Sequence, residues 1–294
     1  MLYHIKHATT YDYSEPVSLC HNSLHLKPRC CPRQHCHSVE LVVRPEPEQV
    51  QNQLDYFGNP ITLFAIQEPH ARLVLRAESW VEVTPAERLD PALTQPWELV
   101  RDSFRSDRSP AALEAYQFVF ESRYVPRSDE LAEYAAVSFP AQRPIVEAAL
   151  DLTRRIHADF RYDTRATTVA TPVHEVLARR RGVCQDFAHL QIGCLRSLGL
   201  PARYVSGYLV TAPPRGQARL TGADASHAWL SVYAAGAGWI DFDPTNNRIP
   251  SDTHVTLAWG RDYDDVSPVR GVILGGGHST LEVAVDVLPA DETP

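Results

Sequence analysis

The sequence predicts an α+β protein: a β-rich N-terminal part, a helical connector, and a unit in which helices precede antiparallel strands. Three observations carry this. Apolar residues alternate with polar ones through most of residues 2–83, seven prolines break residues 84–144 into short capped pieces, and a helical period begins at 145 before alternation returns after 203. The divisions expected are 1–100 for the β-rich domain, 101–143 for the connector and 144–294 for the helix-then-strand core with the C-terminal strands.

Residues 1–10 alternate without an apolar run and read as a first strand rather than a signal peptide. Further strands are marked by Val39, Leu41 and Val43, and by Leu73, Leu75, Ala77, Val81 and Val83. Phe57-Gly58-Asn59-Pro60 is a turn signal between two apolar runs. In the connector, Ser109 before Pro110 and Ser128 before Asp129 and Glu130 are N-caps in residue type and position. Pro144 opens a long helix whose buried stripe is Ile145, Ala149, Leu152, Ile156 and Phe160. A short helix follows Thr171-Pro172 and is expected to stop at Gly182. From Cys184 to Leu198, the residues Phe187, Leu190, Cys194, Leu195 and Leu198 trace one helical face, closed by Gly199 and Pro201. Residues 203–210, 228–233, 239–242 and 281–287 read as strands.

With 44% apolar and 22% charged residues over 294 positions, the chain can bury a sizeable core. A formal charge of −8 argues against affinity built on phosphate neutralisation, so neither nucleic acid nor an anionic membrane is expected as partner. No apolar run reaches the ~20 residues of a spanning helix, and a cytoplasmic location is the expectation. Six cysteines are too sparse for a disulfide scaffold and are read as reduced thiols.

The chemistry centres on Cys184. At a helix N-terminus, unpaired N–H groups and the dipole favour a thiolate. His227, in Ser226-His227-Ala228-Trp229, starts a strand that can hold an imidazole against a helix end. Asp243 closes Trp239-Ile240-Asp241-Phe242-Asp243 and is placed to accept the second ring N–H of that histidine. Asp241 lies on the same strand face and is the rival carboxylate. Gln185 is a candidate oxyanion donor beside the Cys184 N–H, with a surface role as the alternative. Tyr208 is a candidate cleft residue, but an inward core role is the reading preferred for it. Asp186 is expected to cap or pack locally, and His189 and Cys194 to pack on the helix.

The stretches Arg181-Gly182-Val183-Cys184-Gln185-Asp186-Phe187-Ala188, Ser226-His227-Ala228-Trp229 and Trp239-Ile240-Asp241-Phe242-Asp243-Pro244-Thr245-Asn246 resemble the bacterial transglutaminase-like family of the papain-like thiol-enzyme superfamily. Tyr11-Asp12-Tyr13, residues 25–32 and Asp55-Tyr56-Phe57-Gly58-Asn59 resemble the β-rich domain that precedes this core in bacterial members. The resemblance implies a helix bearing the cysteine packed on an antiparallel sheet, and a Cys184, His227, Asp243 triad, with Asp243 at the family's Asp-Pro-Thr position. It implies acyl transfer from peptide or glutamine amides, with a peptide or protein as substrate. Hydrolysis is slightly favoured over amine transfer, since no dedicated amine site is visible. The alternative is a binding module with this fold and no turnover.

Thiol chemistry needs no organic cofactor, and no acidic loop of the EF-hand pattern suggests calcium. Cys20, His21, His25, Cys30, Cys31, His35, Cys36 and His37 have metal-ligand residue types but lack paired Cys-x-x-Cys spacing, so no metal is expected there. Metal-dependent hydrolysis through that cluster is the third reading.

Overall fold

A computed structural model describes residues 1–87, 89–210 and 226–290. In chain order these form β1 (Leu2–Leu24), β2 (Gln34–Arg44), β3 (Gln49–Leu54), β4 (Pro60–Ile66) and β5 (His70–Val83), then α1 (Trp97–Ser103), α2 (Pro110–Tyr116), α3 (Asp129–Ala136) and α4 (Ile145–Asp159). There follow β6 (Arg161–Tyr162), α5 (Val173–Arg179), β7 (Arg181–Gly182), α6 (Cys184–Ser197), β8 (Ala202–Leu209), β9 (Ser226–Ala234) and β10 (Gly238–Phe242). The chain continues with β11 (His254–Gly260), α7 (Tyr263–Val266), β12 (Val269–Gly275) and β13 (Ser279–Pro289).

The first sheet runs β2-β5-β1-β4-β3, all antiparallel. The expected alternation is clearest in β5, where Leu73, Leu75, Ala77, Val81 and Val83 are buried. The hairpin between β3 and β4 turns at Gly58, whose φ is +74°, and Asp55 Oδ1 accepts the N–H groups of Phe57 and Asn59, both at 2.8 Å.

Sequence order groups the last strands with residues 144–294, yet β12 and β13 hydrogen-bond to β1. Together they run along one edge of that strand and bend at Gly275, Gly276 and Gly277, all with positive φ. The pairing satisfies backbone groups that would otherwise form an open edge, and it is a long-range choice that no local pattern encodes.

The connector helices start where their caps predict: Ser109 Oγ accepts the Ala112 N–H at 3.3 Å, and Ser128 Oγ accepts that of Leu131 at 3.2 Å. In α4, Ile145, Ala149, Leu152 and Ile156 are fully buried. α5 ends at Arg179, within the basic run that precedes Gly182, where Arg180 takes the left-handed conformation at φ +52°.

The second sheet, β10-β9-β8-β11, is antiparallel and packs against α6. One continuous core joins Tyr3, Ile5, Val81, Val285 and Val287 of the first sheet to Leu152, Leu190, Leu230 and Phe242 of the second unit. Among the described residues, no helix is long and apolar enough to cross a membrane.

Candidate active site

Cys184 is the first residue of α6 and is half-buried. The helix start is fixed from behind. Asp186 folds back so that its Oδ2 accepts the Val183 N–H at 2.8 Å and the Thr167 hydroxyl at 2.6 Å. A Cβ on residue 182 would lie 2.6 Å from that oxygen, so Gly182 serves the approach of Asp186 rather than the end of α5. Asp186 is therefore the local capping group expected of it, and burial holds its carboxyl above the usual range.

His227 sits second in β9, directly opposite Gly207 of β8. Its Nε2 bonds Asp243 Oδ2 at 2.8 Å, and Cys184 is the other group that favours a charged ring. With Nε2 taken, Nδ1 is the nitrogen left for the sulfur. Burial disfavours the imidazolium, but the bond to Asp243 and the neighbouring Cys184 outweigh it and raise the ring to about 9.

Asp243 lies one residue beyond β10 and is wholly buried, at 0% exposure. Its carboxylate gathers five N–H donors. Oδ2 accepts from His227, from Asn246 Nδ2 at 2.7 Å and from His254 Nε2 at 3.1 Å; Oδ1 accepts from the backbone of Thr245 at 3.0 Å and Asn246 at 3.1 Å. Burial alone would raise this carboxyl, yet the donors, led by His227, hold it far below the usual carboxylate range.

Asp241 does share a strand face with Asp243, as alternation requires, but it pairs opposite Ser231, four residues along β9 from His227. That is ~13 Å at the usual rise per strand residue. Its oxygens go instead to the Ser231 hydroxyl and to Arg33.

The two accessory candidates are differently placed. The Gln185 amide donates to Val169 O at 3.2 Å, so it is held toward that loop. Tyr208 takes the inward core position rather than the cleft: it is 1% exposed, with its hydroxyl on His7 Nδ1 at 2.8 Å, where burial pushes the phenol up. His189 and Cys194 pack within α6 as expected. His189 Nε2 accepts the Tyr263 N–H at 3.1 Å and burial lowers the ring to about 3, while burial pushes the Cys194 thiol up to about 12.

Sequence reasoning assigned no role to Asn246 or His254. Asn246 stands inside the quoted Asp-Pro-Thr-Asn stretch, and the alternation of Val255, Leu257 and Trp259 was the available signal for the strand that carries His254. Among the described residues, His227, Asp243 and His254 are also the one group whose potential ligand atoms gather closely, within 4.8 Å. Both Nε2 atoms are committed to the carboxylate, so the group is a hydrogen-bond network. In the N-terminal cluster, His25 is bonded to Asp55 and to Ser267 O, and Cys20 is buried away from it in the sheet core.

A cysteine at a helix start, an imidazole on the adjoining sheet and a carboxylate behind it define the transglutaminase-like group of the papain-like thiol superfamily. The chain belongs to that family: residues 3–82 match the bacterial transglutaminase-like N-terminal region, and residues 133–244 match the transglutaminase-like superfamily. An uncharacterized protein of Mycobacterium tuberculosis is 41% identical over 98% of this chain and 92% of its own length. A protein-glutamine gamma-glutamyltransferase of Pseudomonas aeruginosa is 30% identical over 49% of this chain and 23% of that protein. A solved structure from Cytophaga hutchinsonii, designated a candidate cysteine protease, shares the fold with a TM-score of 0.76 at 24% identity, covering 100% of this chain and 93% of the other.

Proposed function

We propose that this protein is a cysteine-dependent acyl transferase acting on peptide or glutamine amides, with hydrolysis the favoured outcome. The observation that carries the reading is the His227 ring, whose charged form is favoured by Cys184 at the start of α6 and which is bonded through Nε2 to a buried, five-fold-bonded Asp243.

In this reading the Cys184 sulfur attacks the amide carbonyl, and first-turn N–H groups of α6 receive the developing oxyanion. The tetrahedral intermediate collapses as the His227 imidazolium gives its proton to the departing amine, leaving a thioester on Cys184. Water then attacks the thioester, His227 takes its proton, and the acid and the free thiol are released. An amine in place of water gives the transferase outcome. Asp243 keeps one ring nitrogen protonated and the other turned to the sulfur throughout.

The test is intact-mass detection of an acyl adduct on Cys184 after incubation with glutamine-containing and ordinary peptides. An adduct that is absent from Cys184→Ala and suppressed in His227→Ala supports the reading. Peptide turnover that survives Cys184→Ala overturns it, and so does Cys184 alkylation by iodoacetamide no faster than that of a free thiol.

A further inference from the structure

The triad reading accounts for one of the groups on Asp243, the His227 ring, and leaves a second buried histidine without a task. His254 opens β11 opposite Leu209 and is 4% exposed. Its Nε2 points at Oδ2 of Asp243 from 3.1 Å, the same oxygen that takes His227 Nε2 at 2.8 Å. Its Nδ1 lies 3.2 Å from the Thr253 hydroxyl. The tautomer with hydrogen on Nε2 satisfies both contacts, donating to the carboxylate and accepting from Thr253. The ring stands edge-on to Trp229, with centroids 5.2 Å apart, and Trp229 is itself fully buried. Orientation of the second imidazole is thus set from three sides.

His227 and His254, with the Asn246 amide beside them, compete for the charge of one carboxylate oxygen. The positive end of the His254 N–H dipole also lies beside the His227 ring, whose centroid is 6.0 Å away, and opposes a positive charge there. Asp243 does not need His254 to hold its angle, because two backbone N–H groups on Oδ1 and the Asn246 amide on Oδ2 already fix it. The remaining physical consequence of the contact is a change in how strongly Oδ2 binds the His227 proton.

We propose that His254 is a positioning residue of the thiol site: by sharing the Asp243 oxygen with His227 it limits how firmly His227 keeps its proton. The inference rests on the triad reading and deepens it. A histidine that must give its proton to a departing amine and then recover one from water works best when neither transfer is steeply uphill. A carboxylate relieved of His254 would hold the His227 proton more firmly and make the first transfer more costly.

Among the described residues, the titratable groups facing the His227 ring are the Cys184 thiol from α6, the Asp243 carboxylate beyond β10 and the His254 ring from β11; β8 presents Gly207. The charge on His227 can be read without a substrate. Iodoacetate is an anion that an imidazolium attracts to the neighbouring sulfur, whereas iodoacetamide is neutral. The ratio of their Cys184 alkylation rates reports that charge, and in the wild-type protein it should fall as pH rises through about 9.

In His254→Phe, which keeps a ring against Trp229 but has no N–H, the midpoint of that fall is expected to move up by roughly half a unit to one unit. In His254→Gln, whose amide can again donate to Oδ2, it is expected to return toward wild type. A midpoint that stays or falls in His254→Phe overturns the proposal, as does an equal shift in both variants. Should His254→Phe fail to fold, Thr253→Val removes only the hydroxyl that orients the ring, and the same upward direction is required of it. If the wild-type ratio is flat with pH, the triad reading itself fails; a normal wild-type fall with an unmoved variant defeats only the role of His254.

Discussion

Replacing Asp243 by asparagine isolates what the buried carboxylate does, because shape is retained while one acceptor oxygen becomes a donor. In the wild-type protein both oxygens face only N–H groups: His227, His254 and Asn246 on one, Thr245 and Asn246 backbone on the other. Whichever way the new amide turns, donor meets donor, and its neutrality leaves the imidazolium with Cys184 alone to favour it. Raising the His227 ring from 6.5 to about 9 corresponds to roughly 3 kcal/mol of imidazolium stabilisation, at ~1.4 kcal/mol per pH unit. Burial acts in the opposite direction while Cys184 still raises the ring, so in Asp243→Asn it should titrate well below 9 and toward its ordinary value. A nitrogen-15 NMR titration of the histidine rings measures this directly. At pH 7.5 a ring returned to its ordinary value would be charged in about a tenth of molecules rather than nearly all, and iodoacetate labelling of Cys184 should slow by up to about tenfold. A His227 midpoint that remains near 9 in the variant would refute the account of the site. The same shift links pH to stability: the contribution of His227 is complete below 6.5 and is lost as pH rises through about 9.

Three further outcomes follow from distances in the structure. Gly207→Ala places a Cβ 2.0 Å from Val255 O and 2.5 Å from the Trp229 ring, so a thermal melt should show a loss of about 1–3 kcal/mol, accompanied by slower Cys184 labelling as β8 and β11 separate. Asp241→Asn removes a group bonded to Ser231 and Arg33 rather than to His227; Cys184 iodoacetamide labelling should stay within about twofold of wild type, and a larger change would mean that the rival carboxylate acts in the site. Tyr208→Phe deletes the hydroxyl bonded to His7 at 2.8 Å, which should lower stability by about 1 kcal/mol in a denaturant melt with thiol reactivity unchanged.

Much of this architecture is legible in the sequence where a local rule decides it. Ser109 and Ser128 cap helices because their hydroxyls meet N–H groups three residues on, and Asp55 with Gly58 makes a turn by the same short reach. Cys184 at a helix start and His227 on a strand are each visible as residue plus element. What the sequence hides is set by long-range pairing. Nothing near residue 279 says that β13 will lie along β1, nothing in the alternation of β10 separates Asp241 from Asp243 until the register against β9 is known, and nothing beside His254 announces a carboxylate eleven residues earlier. Tyr208 was ambiguous for the same reason: its partner, His7, stands 201 positions away.

The N-terminal region acquires a physical role from how it treats β11. That strand lies at the end of its sheet and carries His254, so its outer edge would be left with unpaired backbone groups. Two carboxamide side chains close that edge in place of a fifth strand. Gln34 donates to Thr256 O and accepts from Thr256 N, both at 2.7 Å; Asn59 donates to Trp259 O at 2.8 Å and accepts from Trp259 N at 2.9 Å. Each amide reproduces the donor and acceptor pair that a neighbouring strand would present, so the ladder is satisfied without admitting another chain. Arg29 reinforces the contact, its guanidinium 3.2 Å from the centre of the Trp259 ring and bonded to Asn59 Oδ1. Because Asn59 is placed by the Asp55 turn and Gln34 begins β2, the first sheet fixes the position of β11. β11 in turn sets His254 against Asp243. The N-terminal sheet thus braces the thiol site from 200 or more positions away in the chain.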